Sequence, residues 1–157
     1  MDPQRVYKLL GFNPKGLEEW QLVLAPSTFA YALEADRLAS RAEGMIDKLF
    51  PGRPQHNNEV DAFRHAWWSF MVTREFGPEK AKEFGDAHEV SDPNPDSERL
   101  MDLYNNYIGR SLALDPKNKG RPAEDVIMEA LNNELLQTRP LNIPEPLGGA
   151  PPSRYDD

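Results

Sequence analysis

Apolar residues recur at helical spacing over much of the chain, most clearly between residues 59 and 76. In this segment they lie three or four positions apart and therefore share one side of a helix. They are Val60, Phe63, Trp67, Phe70 and Met71. The alternating pattern of a half-buried strand is poor throughout, and no such stretch is bounded by Asn-Gly or Asp-Gly. The pattern therefore predicts helices.

Turn residues separate further segments with the same spacing. Ser27 can cap a long helix, and Gly77 ends one helix where Pro78 begins the next. The helical segments predicted besides 59–76 are about 3–10, 28–50, 78–89, 97–112 and 123–137.

The predicted fold class is all-α: a compact single-domain bundle of five to six helices with a Pro-rich extended C-terminal tail. A length of 157 residues fits one domain with one core. We place the helical domain at 1–139, its motif-bearing part at about 57–137, and the Pro/Gly-rich tail at 140–157.

Composition narrows the function classes. The chain has 26 acidic and 18 basic residues, and without a basic stripe to attract phosphates we predict no nucleic-acid partner. No apolar run approaches the ~18 residues that a membrane span needs. Cysteine is absent, which excludes thiol nucleophiles and Cys-type zinc sites. The N-terminus lacks a signal-peptide pattern, so we expect synthesis in the cytoplasm and, for any export, a dedicated secretion system.

Residues capable of chemistry gather on three consecutive predicted helices. On the first, Asp61 and His65 lie four positions apart and project from one face. A carboxylate in this position can fix the imidazole tautomer, and both groups can also ligate one metal ion. Arg64 can pair with a carboxylate or bind a substrate anion. Trp68 is expected to line a pocket on the same face.

The second and third helices add further polar groups. His88 follows the apolar side of its helix and is expected to point inward, with Glu89 one position round. The third helix carries a narrow polar stripe and a glycine that allows a neighbouring helix to approach closely. Its members are Asp102, Asn105, Asn106 and Gly109.

If these helices pack antiparallel, the groups converge on one site. Two histidines and a carboxylate, with a water, satisfy zinc or another divalent ion. The predicted metal ligands are His65, His88, Asp102 and Asp61. Metal-bound water would be the nucleophile, with Glu89 or Asp61 as proton acceptor; without a metal, the same groups offer general acid–base catalysis. The predicted catalytic residues are His65, His88, Glu89 and Asp102, and the predicted substrate-binding residues are Arg64, Trp68, Asn105 and Asn106.

The same residues also admit structural interpretations. A His near a helix C-terminus gains from the helix dipole, and adjacent asparagines can fix helix register through buried hydrogen bonds. Trp67 is predicted to be a core residue, and His56, in a Pro/Asn loop, to be exposed. Convergence favours the functional interpretation, because burying many polar groups is costly unless all of them are paired.

Four segments of the chain carry motifs in a fixed order. They read HNNEVDAFRHAWWSFMVTREFG, AKEFGDAHE, ERLMDLYNNYIGRSL and DVIMEALNNELL. Over about residues 57–137 the chain resembles an all-helical bacterial and phage domain found in Rhs-type polymorphic toxins and secreted effectors. The matching residues are Asp61, Arg64, His65, Trp68, His88, Glu89, Asp102, Asn105, Asn106, Gly109 and Arg110.

The resemblance implies a site on these motifs and a setting of bacterial competition or phage–host envelope contact. The leading hypothesis is therefore an effector- or toxin-like hydrolase acting on a cell-wall component or a phospholipid, with a secretion-system or immunity protein as partner. The alternative is a non-catalytic interaction module (an adaptor, immunity-type or phage protein) whose buried polar residues are structural. In that case the acidic surface and the tail would dock partners.

Overall fold

The computed structural model describes residues 29–91 and 95–140, and it confirms the all-α prediction. Within these residues five α-helices follow one another, with one 3-10 turn before the last. They are α1 (Phe29–Leu49), α2 (Glu59–Phe76), α3 (Pro78–Ser91), α4 (Asp96–Leu114) and α5 (Ala123–Asn132), and the 3-10 turn spans Pro116–Asn118. The predicted helix over 3–10, the Ser27 cap and the tail beyond Pro140 lie outside the described residues.

Helix α2 is the centre of the bundle and packs against the other four helices. The side chain of Asn58 caps its N-terminus and accepts hydrogen bonds from the backbone N–H groups of Val60 and Asp61. Most of its apolar side is buried, and Trp67 is 1% exposed, which confirms the core prediction for that residue. Because α2 packs against four helices, the side chains that it directs toward them lie inside the molecule.

The directions of α2, α3 and α4 determine which polar residues meet. Gly77 ends α2 with a φ of 92°, which lets the chain reverse directly into α3. In the resulting antiparallel pair Trp68 lies beside Gly85, and His65 faces Glu89. Helix α4 reverses the chain again and so runs parallel to α2. The N-terminal halves of α2 and α4 therefore lie at the same end of the bundle.

The core consists of two apolar clusters that meet at α2. One joins α2 to α1, α4 and α5, and the other joins α2 to α1 and α3. Trp68 and Met71 are partly buried and pack against both clusters. Across residues 29–91 and 95–140, no helix is both long enough and apolar enough to cross a membrane, as the sequence predicts.

The last helix is shorter than predicted. It ends at Asn132 rather than near residue 137, and Glu134 adopts a φ of 58° where the chain turns. Leu135 is consequently 46% exposed, while Leu136 packs into the core. The hydroxyl of Tyr104 on α4 donates to the Leu135 carbonyl. A tertiary hydrogen bond therefore replaces the helical turn that the apolar pattern suggests.

Candidate metal centre

Three side chains from α2 and α4 meet at the common end of these helices. The Nε2 atom of His65 lies 3.5 Å from Oδ1 of Asp61 and 3.4 Å from Oδ1 of Asp102. The imidazole is 11% exposed, and the two carboxylates are 3% and 5% exposed. The structure thus brings together Asp61, His65 and Asp102, which come from two separate helices, in a largely buried site.

The backbone around the start of α2 holds Asp61 in place. The N–H of Asn57 donates to Asp61 Oδ2 at 2.8 Å, and the guanidinium of Arg64 donates to Oδ1. Asn57 adopts a φ of 52°, a left-handed conformation that is uncommon for a residue other than glycine. Asn is among the residues that adopt this conformation most readily, so the turn can present the Asn57 N–H to Asp61.

The two distances from His65 Nε2 are longer than hydrogen bonds and match the spacing of ligand atoms around a cation. One ligand atom from each residue lies within 4.8 Å of the other two. The separations of 3.4 and 3.5 Å exceed the usual hydrogen-bond range of about 2.7–3.2 Å. Metal–ligand bonds of about 2.0–2.2 Å in a tetrahedron put neighbouring ligand atoms about 3.3–3.6 Å apart. Asp61, His65 and Asp102 can therefore hold a metal ion.

The electrostatic environment keeps His65 uncharged. Burial lowers its pKa from 6.5 to about 4, and Arg64 and His88 act in the same direction. Asp61 and the Asn106 side chain raise the pKa and offset this only in part. At neutral pH the imidazole is therefore neutral and has a nitrogen lone pair to offer. That is the form in which histidine binds metals.

Glu89 lies on the other side of the same imidazole. Its Oε1 atom is 3.8 Å from Nδ1 of His65, whereas the two aspartates face Nε2. The residue is 0% exposed and is among the largest fully buried side chains of the described residues. The sequence predicts a proton acceptor at Glu89, but its place behind the ring separates it from the group formed by Asp61 and Asp102.

The prediction that His88 points inward was wrong. Its side chain is exposed, and the group of possible metal ligands within the described residues does not contain it. The last turn of α3 packs against α4, where Arg99 donates to the Glu89 carbonyl, so the covered side of the helix has moved from His88 to Glu89. His88 still lies close enough for its charge to affect the pKa of His65. It therefore borders the site without entering it.

Two predicted substrate-binding residues have partners within the protein. Arg64 is 32% exposed at its side chain and bridges Asp61 on α2 to Glu43 on α1. Trp68 donates from Nε1 to the Ala35 carbonyl at 2.9 Å. These contacts fix both side chains beside the site, and their contact with a substrate stays a prediction.

The two asparagines of the polar stripe separate in the structure. Asn105 is 0% exposed, and its amide donates to and accepts from the backbone of Gln137, at 2.8 and 2.9 Å. This pair of bonds gives Asn105 a structural role in holding the C-terminal segment. Asn106 is also buried, but its side chain lies beside His65 and Gly85. Only Asn106 therefore belongs to the neighbourhood of the site.

The loop before α2 contributes residues that the sequence pattern does not assign to the site. Asn57 binds Asp61 through its backbone, and Asn58 caps the helix that carries two of the candidate ligands. An Asn directly before an apolar periodic segment is a recognisable cap signal, whereas the backbone role of Asn57 has none. His56 has a 66% exposed side chain, as predicted, and lies 3.4 Å from Glu98.

Comparisons with known proteins place the chain in a family. No curated protein and no solved structure matches it significantly. Residues 22–139 match a family model described as a domain of unknown function (DUF6973), and this range includes every described helix. Since the match covers most of the sequence, the chain belongs to the DUF6973 family of domains of unknown function.

Proposed function

We propose that this chain is a hydrolase that uses a divalent cation held by Asp61, His65 and Asp102. The observation that carries the proposal is the placement of two buried carboxylates 3.4 and 3.5 Å from one imidazole nitrogen. Two further features support it: the neutral state of His65 and the fixed position of Asp61. Three protein ligands of mixed N and O type are typical of catalytic sites, which keep one position open for water or substrate.

The chain's own residues supply orientation and proton transfer at such a site. A bound cation would polarise a substrate oxygen and lower the pKa of a water molecule. Arg64 holds Asp61 and would orient an anionic group of the substrate at the edge of the site. A carboxylate oxygen of the site would accept the proton of the attacking water.

We further propose an effector- or toxin-like role against a bacterial envelope component, a cell-wall polymer or a phospholipid. The order of motifs from Asp61 to Arg110, and its resemblance to Rhs-type toxin domains, supports this setting. In that setting a secretion system would export the protein, and an immunity protein would be its partner.

Metal binding is the first test. Protein purified without chelator is titrated with ZnCl₂ and with MnCl₂ while its thermal unfolding is followed. We expect stabilisation that rises with ion concentration, about 2.7 kcal/mol at a hundred times the dissociation constant. Asp102→Asn should remove the effect, whereas Asp86→Asn, another buried acid, should retain it. If neither ion changes the unfolding temperature of the wild-type protein, the cation site is refuted.

Activity is the second test. Peptidoglycan and phospholipid vesicles are incubated with the metal-loaded protein, and the released products are separated by chromatography. We expect turnover that Asp102→Asn abolishes while the helical circular-dichroism spectrum stays intact. Turnover that survives in this variant would exclude the proposed site.

One observation favours the alternative of a non-catalytic interaction module. Asn105, a polar residue of the same stripe, donates one hydrogen bond to the backbone of Gln137 and accepts another from it. If Asp61, His65 and Asp102 formed only a hydrogen-bond network, the wild-type protein would bind no ion. Replacing one of them by Ala would then lower stability and leave ion binding unchanged. The metal titration separates the two functions, because only a cation site gains stability from the ion.

A further inference from the structure

The burial of Glu89 calls for a physical reason. Its side chain is 0% exposed in the last turn of α3, although an ionised carboxylate is costly to bury without compensating contacts. The other glutamates of α3, Glu79 and Glu83, are exposed and half-buried respectively. A carboxylate buried in this way needs compensating polar neighbours within the protein.

The imidazole of His65 lies next to this carboxylate. A histidine ring presents two nitrogen atoms on different sides, and at most one of them binds a given metal ion. Here Nε2 faces the carboxylates of Asp61 and Asp102, while Nδ1 faces Oε1 of Glu89 at 3.8 Å. A hydrogen bond, with a length of about 2.7–3.2 Å, requires these two atoms to approach each other by roughly 0.6–1.1 Å.

We propose that Glu89 is a positioning residue that accepts the Nδ1–H of His65 and so fixes Nε2 as the nitrogen that binds the cation. This inference rests on the proposed function and specifies how its site is built. Carboxylate–histidine–metal triads of this kind orient the ring and raise the basicity of the ligand nitrogen. Glu89 thus acts through His65 and does not touch the substrate.

Two features distinguish this role from a catalytic or a purely structural one. The carboxylate is fully buried behind the imidazole, so a substrate at the Nε2 side is separated from it by the ring. The end of α3 is tied to α4 through the backbone carbonyl of Glu89, which accepts from Arg99 Nε at 2.9 Å. A side-chain substitution at residue 89 leaves that backbone bond in place, so the helix end should persist in the variants.

The test measures zinc affinity by calorimetry in the full-length protein and in two variants. Glu89→Gln keeps a hydrogen-bond acceptor without the charge, and Glu89→Leu removes both. We expect the dissociation constant for zinc to rise about 10-fold in the first and up to about 100-fold in the second. Asp86→Asn is the matched control, because Asp86 lies on the same helix and is buried beside Lys82. Its zinc affinity should equal that of the wild-type protein.

The outcomes separate this inference from the proposed function. Zinc binding by the wild-type protein with equal affinity in Glu89→Gln and Glu89→Leu overturns the role of Glu89 and leaves the cation site standing. No zinc binding by the wild-type protein overturns both.

A spectroscopic measurement tests the choice of ligand nitrogen and the hydrogen bonding of Nδ1 even if the variants fail to fold. Nitrogen-15 NMR of the His65 ring in zinc-loaded wild-type protein should show a protonated Nδ1 with slow solvent exchange and a metal-bound Nε2. A protonated Nε2 would contradict the assignment.

Discussion

The backbone of Gly109 lies so close to the carbonyl of Ala66 that a β-carbon on Gly109 would be 2.3 Å from that oxygen. This contact joins α4 to α2 next to the candidate metal centre. His65 precedes Ala66, and Asp102 lies two helical turns before Gly109. The distance between the two helices, and with it the separation of His65 Nε2 from Asp102, therefore depends on the absence of a side chain at residue 109.

Gly109→Ala should destabilise the protein and weaken the site together. The methyl group forces the helices apart, so we expect a loss of about 1–3 kcal/mol in the free energy of unfolding. Zinc affinity should fall as well, because Asp102 moves away from His65. Urea unfolding and calorimetry measure the two effects.

Gly44→Ala is the control for this substitution. Gly44 lies in α1, and a β-carbon added there would have no neighbouring atom within 4 Å. Ala should therefore stabilise the helix by up to about 1 kcal/mol and leave zinc affinity unchanged. Equal stability of Gly109→Ala and the wild-type protein would show that the two helices can separate without cost.

Local spacing was sufficient to predict α2 and the shared face of Asp61 and His65, because a helix fixes which side chains are neighbours four positions apart. The small residue at 109 was also recognised as a place of close helix contact. These features depend on residues within one helix, and the sequence contains all the information that they require.

Features that depend on a partner helix could not be predicted from the spacing of residues along the chain. Which side of the last turn of α3 is covered depends on α4, so Glu89 is buried where His88 was expected. The role of Asn105 depends on Gln137, which lies 32 residues away along the chain. No periodicity encodes such contacts, because they arise only when the helices pack.

Acid should destabilise the metal-free protein through His65. Burial lowers the pKa of this residue to about 4 in the folded state, against its ordinary value of 6.5. In this window the unfolded chain binds a proton that the folded chain does not, so stability falls as the pH falls from 6.5 toward 4. The slope from this group is at most about 1.4 kcal/mol per pH unit.

His65→Gln removes this contribution. With a chelator present, urea unfolding at several pH values should give a shallower loss of stability for the variant than for the wild-type protein. His56→Gln is the control for replacing a histidine as such, because the side chain of His56 is 66% exposed. Identical slopes for His65→Gln and the wild-type protein would show that folding does not lower the pKa of His65.

Asn105→Ala should loosen the C-terminal segment without affecting the cation. The substitution removes two hydrogen bonds to the backbone of Gln137 and leaves that N–H without its partner. We expect a loss of about 1–3 kcal/mol in stability and faster amide hydrogen exchange at Gln137. Zinc affinity should stay at the wild-type value. A large loss of zinc affinity at unchanged exchange would instead place Asn105 in the site.

The ionised carboxylate of Asp86 should lower the stability of the folded protein at neutral pH. A neutral residue at this position should make the protein more stable. Burial raises the pKa of this carboxyl, and the nearby Lys82 and Arg110 offset that only in part. The folded state therefore holds the proton to higher pH than the unfolded state, and stability falls as the pH rises through this window.

Asp86→Asn should raise the free energy of unfolding at neutral pH. This gain in stability should shrink as the pH is lowered and the wild-type carboxyl becomes protonated. Thermal unfolding of both proteins across this range measures the difference. A variant that is less stable than the wild-type protein at neutral pH would show that the ion pair with Lys82 outweighs the cost of burying the charge.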